Sequence, residues 1–221
     1  MSAESHLLIV APHPDDETLA LGGTIYDHHR LGGSAEILAV TDGEAADDRA
    51  SPAARRELAA RRHAERDAAL GRLASGGVAV TRLGYRDGAL ADDELSLERA
   101  LLDELGRARR SHPHCTVLVP WREDPHPDHE ATARAGIRAA AALGLPHLEV
   151  PIWAWYHRGW RAALPSVRLR RLDISPEARC AKRAALRCFV SQLELLPGGR
   201  GPVLPADFLA AFDRPFEPVL G

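Results

Sequence analysis

Short, largely apolar runs alternate along the chain with longer stretches in which apolar residues recur at helical spacing. Leu7 to Ala11, Ala35 to Val40 and Cys115 to Pro120 are of the first kind, and Val78 to Leu83 resembles them. Runs of this length read as strands buried on both faces, as in a parallel sheet. Leu148 to Trp155 and Val167 to Ile174 add a fifth and a sixth strand. Between them the pattern predicts helices from about Glu17 to Tyr26, Ala53 to Ala74, Leu95 to Arg110, Ala131 to Leu143 and Pro176 to Gln192. Leu97, Leu101, Leu102 and Leu105 line one face of the third. Gly32-Gly33 and Ser75-Gly76-Gly77 supply helix stops, and Ser175 with Pro176 supplies a helix start. Strand and helix alternate, so the expected fold is α/β: a Rossmann-like, mostly parallel sheet with helices on both faces, one domain over residues 1–221. After Pro197 the chain is rich in glycine and proline, then carries a short apolar stretch, Phe208 to Phe212.

Composition narrows the partners. With 28 basic and 31 acidic residues the chain has no broad positive field for nucleic acid. No apolar run approaches the ~20 residues of a membrane span, and the first six residues lack the regions of a secretion signal. Cys115, Cys180 and Cys188 form no CxxC pair and read as small apolar residues in a reducing cytoplasm. A small molecule is the expected partner, with room for a homo-oligomer.

Chemistry concentrates at two strand ends. The first strand runs into Pro12-His13-Pro14-Asp15-Asp16-Glu17, the fourth into Trp121-Arg122-Glu123-Asp124-Pro125-His126-Pro127-Asp128-His129. In an open α/β sheet, ligands bind where such C-terminal ends meet at the switch point. Helix capping accounts for one acid at the first end, not for two acids and a histidine between prolines. Phosphate binding by Gly22-Gly23 is disfavoured, because those glycines fall inside the helix and the turn is acidic. A dinucleotide is disfavoured too, since no GxGxxG follows the first strand. A catalytic zinc wants three protein ligands and an open position. His13, Asp16 and one histidine of the pair His126 and His129 would supply the ligands. Asp15 is then the natural base for an attacking water, and the other histidine, oriented by Asp128, a donor to the oxyanion and leaving amine. Residue chemistry alone leaves open which histidine is the ligand.

Both clusters resemble the two signature motifs of the PIG-L/LmbE-like zinc-dependent N-acetylglucosaminyl deacetylases. Leu19 to Ile25, Thr41-Asp42-Gly43, Arg62-His63-Ala64-Glu65, and Leu83-Gly84 with Asp87-Gly88 resemble further family segments. The resemblance implies His13, Asp16 and His129 as zinc ligands and Asp15 as general base. It implies His126, paired with Asp128, as the acid or electrostatic group, and Arg62 as a substrate contact. The reaction implied is hydrolysis of the N-acetyl or other N-acyl group of an amino sugar or its conjugate. Another divalent ion such as Fe2+ suits the same donor set. Two readings compete: the same chemistry on a non-sugar amide such as a thiol conjugate, and a silent metal-binding module. Phe189 stands where the family carries a histidine, and Ala74 where it carries a glycine. Trp121, in the second motif, is placed to stack on a sugar. Trp153, Trp155, Tyr156, His157 and Trp160 read first as core or lid packing, with a sugar-stacking wall as the functional alternative. His28, His29, His112 and His114, with Arg158 and Arg161, read as surface residues.

Overall fold

The computed structural model describes residues 5–47, 49–156, 169–196 and 200–221. Along the chain come β1 (His6–Ala11), α1 (Asp16–Arg30), β2 (Ser34–Thr41), α2 (Pro52–Leu73), β3 (Val78–Tyr85), α3 (Glu94–Ser111), β4 (Cys115–Pro120), α4 (Pro127–Ala142) and β5 (His147–Val150). A 3-10 turn (Trp153–Trp155), β6 (Leu169–Asp173), α5 (Pro176–Leu186), α6 (Val190–Leu193), α7 (Ala206–Ala210) and β7 (Phe216–Leu220) follow. One sheet holds all seven strands in the order β3-β2-β1-β4-β5-β7-β6. The first five are parallel to one another, and β7 runs antiparallel between β5 and β6. The order reverses between β1 and β4, which puts the switch point at the two motif-bearing strand ends.

The buried runs are explained by two cores. Leu7, Ile9 and Ala11 pack with α1, α2 and α5 on one face. Leu8 and Val10 point the other way, into α3 and α4. Residues of β1, β2 and β4 thus meet a helix whichever way they point, and no polar alternation is needed there; β3 and β6, at the sheet edges, have no fully buried residue. Leu102, expected on the core face of α3, lies at its margin and is exposed.

Several boundaries differ from the sequence expectation. The fourth helix starts at Pro127 with His126 as N-cap, not at Ala131. Proline at the first helical position costs no hydrogen bond, so the motif that reads as loop is already helix. β5 stops at Val150, before Pro151, and Trp153–Trp155 form the 3-10 turn. The helix expected over Pro176 to Gln192 breaks after Leu186. There Phe189 turns wholly into the core, and Ser191 gives its N–H and hydroxyl to Glu65 of α2, at 2.8 and 2.6 Å. The apolar stretch near Phe208 is the short helix α7. β7 has no counterpart among the strands that the sequence pattern predicts. Pro218 disguises it, and it is tolerated because β7 meets β5 only at Leu220 opposite Glu149. Val167 and Arg168 of the expected sixth strand lie outside the described residues, as do His157, Arg158, Trp160 and Arg161.

Gly22 and Gly23 serve packing. A Cβ on Gly23 would stand 2.4 Å from Ile174 Cδ1. That closeness brings β7 onto α1, where the Glu217 carboxylate accepts the N–H groups of Gly23 and Thr24, both at 2.8 Å. Lys182 of α5 completes the knot with a 2.6 Å ion pair to Glu217, both side chains buried.

Candidate metal centre and active site

Pro12 ends β1, and the chain turns through His13, Pro14 and Asp15 into α1. Asp15 is the N-cap and takes φ 139°, the one positive φ among the described non-glycine residues. Such a conformation costs on the order of 1–3 kcal/mol and persists only where the surroundings impose it. Asp16, the first helical residue, folds back so that its Oδ2 accepts the His13 N–H at 2.9 Å. From β4 the chain passes Trp121 and Asp124 to His126 and the first turn of α4, which carries Asp128 and His129.

Three donor atoms converge there. His13 Nδ1, Asp16 Oδ2 and His129 Nε2 stand 3.3 Å from one another on all three edges. A triangle of that edge is one face of a tetrahedron with a centre-to-corner distance of ~2.0 Å, the length of zinc–nitrogen and zinc–oxygen bonds. The far nitrogens of both rings are committed elsewhere. His129 Nδ1 lies 2.7 Å from Asp124 Oδ2, and His13 Nε2 lies 3.2 Å from both Asp128 Oδ2 and Asp87 Oδ1. Each carboxylate takes a ring N–H and leaves the opposite nitrogen a bare lone pair aimed at the triangle. The residues therefore fit a tetrahedral divalent ion with one open corner. A second trio, His13, His126 and Asp128, also gathers here. There His126 Nδ1 already accepts the Asp128 N–H at 3.2 Å, and the Asp128 carboxylate already accepts from Gly88 and Leu90.

Without a metal the acids around the two ligand imidazoles keep them protonated. Burial opposes charge on His129, but Asp16 and Asp124 outweigh it and raise its pKa to about 9. His13 is likewise raised against burial, by hydrogen bonds to Asp128, Asp16 and Asp87. Burial pushes the Asp16 carboxyl up, yet His129 and His13 hold it well below the usual range. Asp15 behaves oppositely. Burial and the neighbouring Asp16 charge push it well above the usual carboxylate range, against the pull of Arg62. Burial, with His13 and His129 nearby, lowers His126 to about 4.

The triangle opens on a cavity of about 220 Å3 lined by His13, Asp15, Asp16, Asp87, Arg62, His126 and Gln192. Trp153, Val203, Leu204 and Phe208 form its carbon wall. Arg62 is buried, gives Nη1 to the Gly43 carbonyl at 2.6 Å, and has no hydrogen-bond partner for Nε or Nη2 among the described residues. Gly43 has φ 67°, and a Cβ there would lie 2.3 Å from Arg62 Nη1, so the loop needs glycine.

The structure thus brings together His13, Asp15, Asp16, His126, Asp128, His129 and Arg62. Asp128, however, turns its carboxylate to His13 and to the N–H groups of Gly88 and Leu90, touching His126 only through its own backbone. Trp121 is buried and does not line the cavity; Trp153 stands in its place, stacked on His126 at 5.9 Å between centroids. Phe189 is core, not cavity wall, and His28 is buried against the Ser5 carbonyl. Asp87 and Asp124 join the site without being marked as site residues by the sequence pattern. The signal that could have found Asp124 is its place five residues before a candidate ligand, at the same strand end.

A Rossmann-like sheet thus carries, at its switch point, a His–Asp–His triangle with the spacing of metal ligands. The chain belongs to the PIG-L family, whose model, described as GlcNAc-PI de-N-acetylase, matches residues 8–140. It is 31% identical over 146 residues to a probable N-acetyl-alpha-D-glucosaminyl L-malate deacetylase 2 of Bacillus anthracis, covering 65% of this chain and 62% of that one. It is 31% identical over 175 residues to a 1D-myo-inositol 2-acetamido-2-deoxy-alpha-D-glucopyranoside deacetylase of Rhodococcus erythropolis, covering 68% and 58%. The chain therefore spans about three fifths of the length of these curated relatives. Among solved structures, the A40926 pseudoaglycone deacetylase superposes with a TM-score of 0.73 at 25% identity, covering 98% of this chain and 96% of that one.

Proposed function

We propose that the chain is a metal-dependent N-deacylase that removes the acetyl or another acyl group from an N-acylated amino sugar or its conjugate. The observation that carries this is the 3.3 Å triangle of His13, Asp16 and His129 with a strained aspartate beside it. Zinc, or another divalent ion held there, would acidify water and polarise the acyl carbonyl. Asp15, beside the triangle and lining the cavity, takes the proton of the attacking water and returns it to the leaving nitrogen. His126 accepts a backbone N–H at Nδ1, so its neutral ring carries the proton on Nε2 and donates to the oxyanion as charge develops. Arg62 offers its two unpartnered nitrogens to oxygens of the substrate. Asp128 and Asp124 act through the ligands they orient. The products are a carboxylate and a free amine.

The test is amine release from a panel of N-acyl glucosaminides by zinc-loaded protein, with Asp15→Asn alongside. Turnover should fall about 100- to 10,000-fold in the variant while zinc binding is kept. Zinc lost in Asp15→Asn would overturn the base assignment. A parent that binds zinc but cleaves no sugar amide would overturn the substrate class and shift the reading to a non-sugar amide.

A further inference from the structure

Asp15 sits in a conformation that its own sequence does not favour, so something must hold it there. The peptide between Pro14 and Asp15 is gripped from both sides. Its carbonyl accepts the side-chain amide of Gln192, Nε2 to oxygen 2.5 Å. Its N–H points to Glu17 Oε2, a longer contact of 3.4 Å. The Pro14 oxygen can only accept, so chemistry fixes which end of the Gln192 amide faces it. Turning this peptide plane to relax the φ of Asp15 would break the Gln192 bond inside a buried site, where an unmade hydrogen bond is expensive.

Gln192 is itself fixed. It lies in α6, one turn held at Ser191 by both oxygens of Glu65. Its own carbonyl accepts the Leu204 N–H at 2.9 Å. The side chain is buried and borders the same cavity as Asp15. A residue 178 positions away in sequence thus grips the turn that carries the proposed base. We infer that Gln192 is a positioning residue: by donating to the Pro14 carbonyl it imposes the backbone angle that aims Asp15. The inference rests on the proposed role of Asp15.

Two variants of similar volume separate this from packing. Gln192→Glu keeps shape and acceptors but replaces the donor. Gln192→Met keeps volume and removes both. In the zinc-loaded protein both should lower kcat about 10- to 100-fold, as expected for a misaimed catalytic group. KM and zinc affinity, the latter by chelator competition, should stay within about twofold. The Asp15 backbone amide should shift in 15N-edited NMR spectra of both variants. Unchanged kcat in Gln192→Met, which has no donor in any protonation state, would overturn the inference, because donation would then be dispensable. So would a raised KM with kcat kept, which would make Gln192 a substrate contact. If the parent turns over no substrate, the functional reading fails by itself. The NMR arm still decides the grip: an Asp15 amide unmoved in Gln192→Met overturns it.

Discussion

The two sides of the cavity are made of different material by different parts of the chain. From β1 and β4 come imidazoles and carboxylates, each held by a second polar group: His13 by Asp128 and Asp87, His129 by Asp124. From the segments after β5 come Trp153, Leu204 and Phe208, packed through ring contacts such as Trp153 on Phe208 at 4.8 Å. Chemistry needs donors placed to a few tenths of an ångström, so it sits on strand ends and first helical turns. A wall that only shapes space can be built from short helices and turns. Under this division, changes on the polar side move metal binding or kcat, and changes on the carbon side move substrate preference.

The joint between the two regions is the place to break this division hardest. Lys182 and Glu217 form a buried ion pair that ties α5 and β7 to the middle of α1. Lys182→Met leaves the Glu217 carboxylate buried without its cation. The expected loss is about 3–5 kcal/mol, read from urea unfolding. Lys182→Met with Glu217→Gln should recover part of it, since the uncompensated charge is gone. A single variant as stable as the parent would show that the two regions are not joined here.

A smaller effect is expected where one residue serves both sides. Asp124 takes the His129 N–H with Oδ2 and also accepts the N–H groups of Ile152, Trp153 and Ala154. Asp124→Asn puts an amide N–H₂ against one set of these donors. Zinc affinity should fall about 10- to 100-fold, and the fluorescence of the tryptophans beside the cavity should change with it. Weakened zinc binding with unchanged emission would separate metal ligation from the wall.

Much of the polar side is legible in the amino-acid sequence alone. Residues that bind metals are few in kind, and at β1 and β4 they stand at strand ends flanked by prolines, so local sequence marks them. Even there, sequence proximity misleads about partners: Asp128 is near His126 along the chain but turns to His13 in space. The carbon wall is less legible. Apolar residues look alike whether they face a core or a cavity. Trp121 and Trp153 exchange roles because β5 ends three residues before Trp153 and the 3-10 turn swings that ring over His126. Gln192 and β7 are hidden for a related reason. Each is defined by a contact with a distant segment, the Pro14 carbonyl in one case and β6 in the other.

The smallest expected effect lies at the opposite end of β1, and it tests whether stability can be moved without touching the site. His6 is buried, stacked on His112 at 3.8 Å between centroids, and its Nδ1 lies 2.7 Å from Ser34 Oγ. Burial, with His112 alongside, lowers its pKa to about 4. In the unfolded chain the ring titrates near 6.5. Between those values the unfolded state binds more protons than the folded one. The contribution of neutral His6 is therefore complete above about pH 6.5 and is lost as pH falls toward 4. His6→Phe keeps the stack and cannot titrate. It should be less stable than the parent at pH 8, where the Ser34 bond is missing. Between pH 7.5 and pH 5 it should lose less stability than the parent, by on the order of 1 kcal/mol. Urea unfolding at the two pH values measures the difference. Zinc affinity at pH 7.5 should be unchanged, since His6 begins β1 and His13 lies beyond its other end. Equal losses in parent and variant would mean that His6 titrates alike in the folded and unfolded protein. A changed zinc affinity would mean that the strand carries strain from one end to the other.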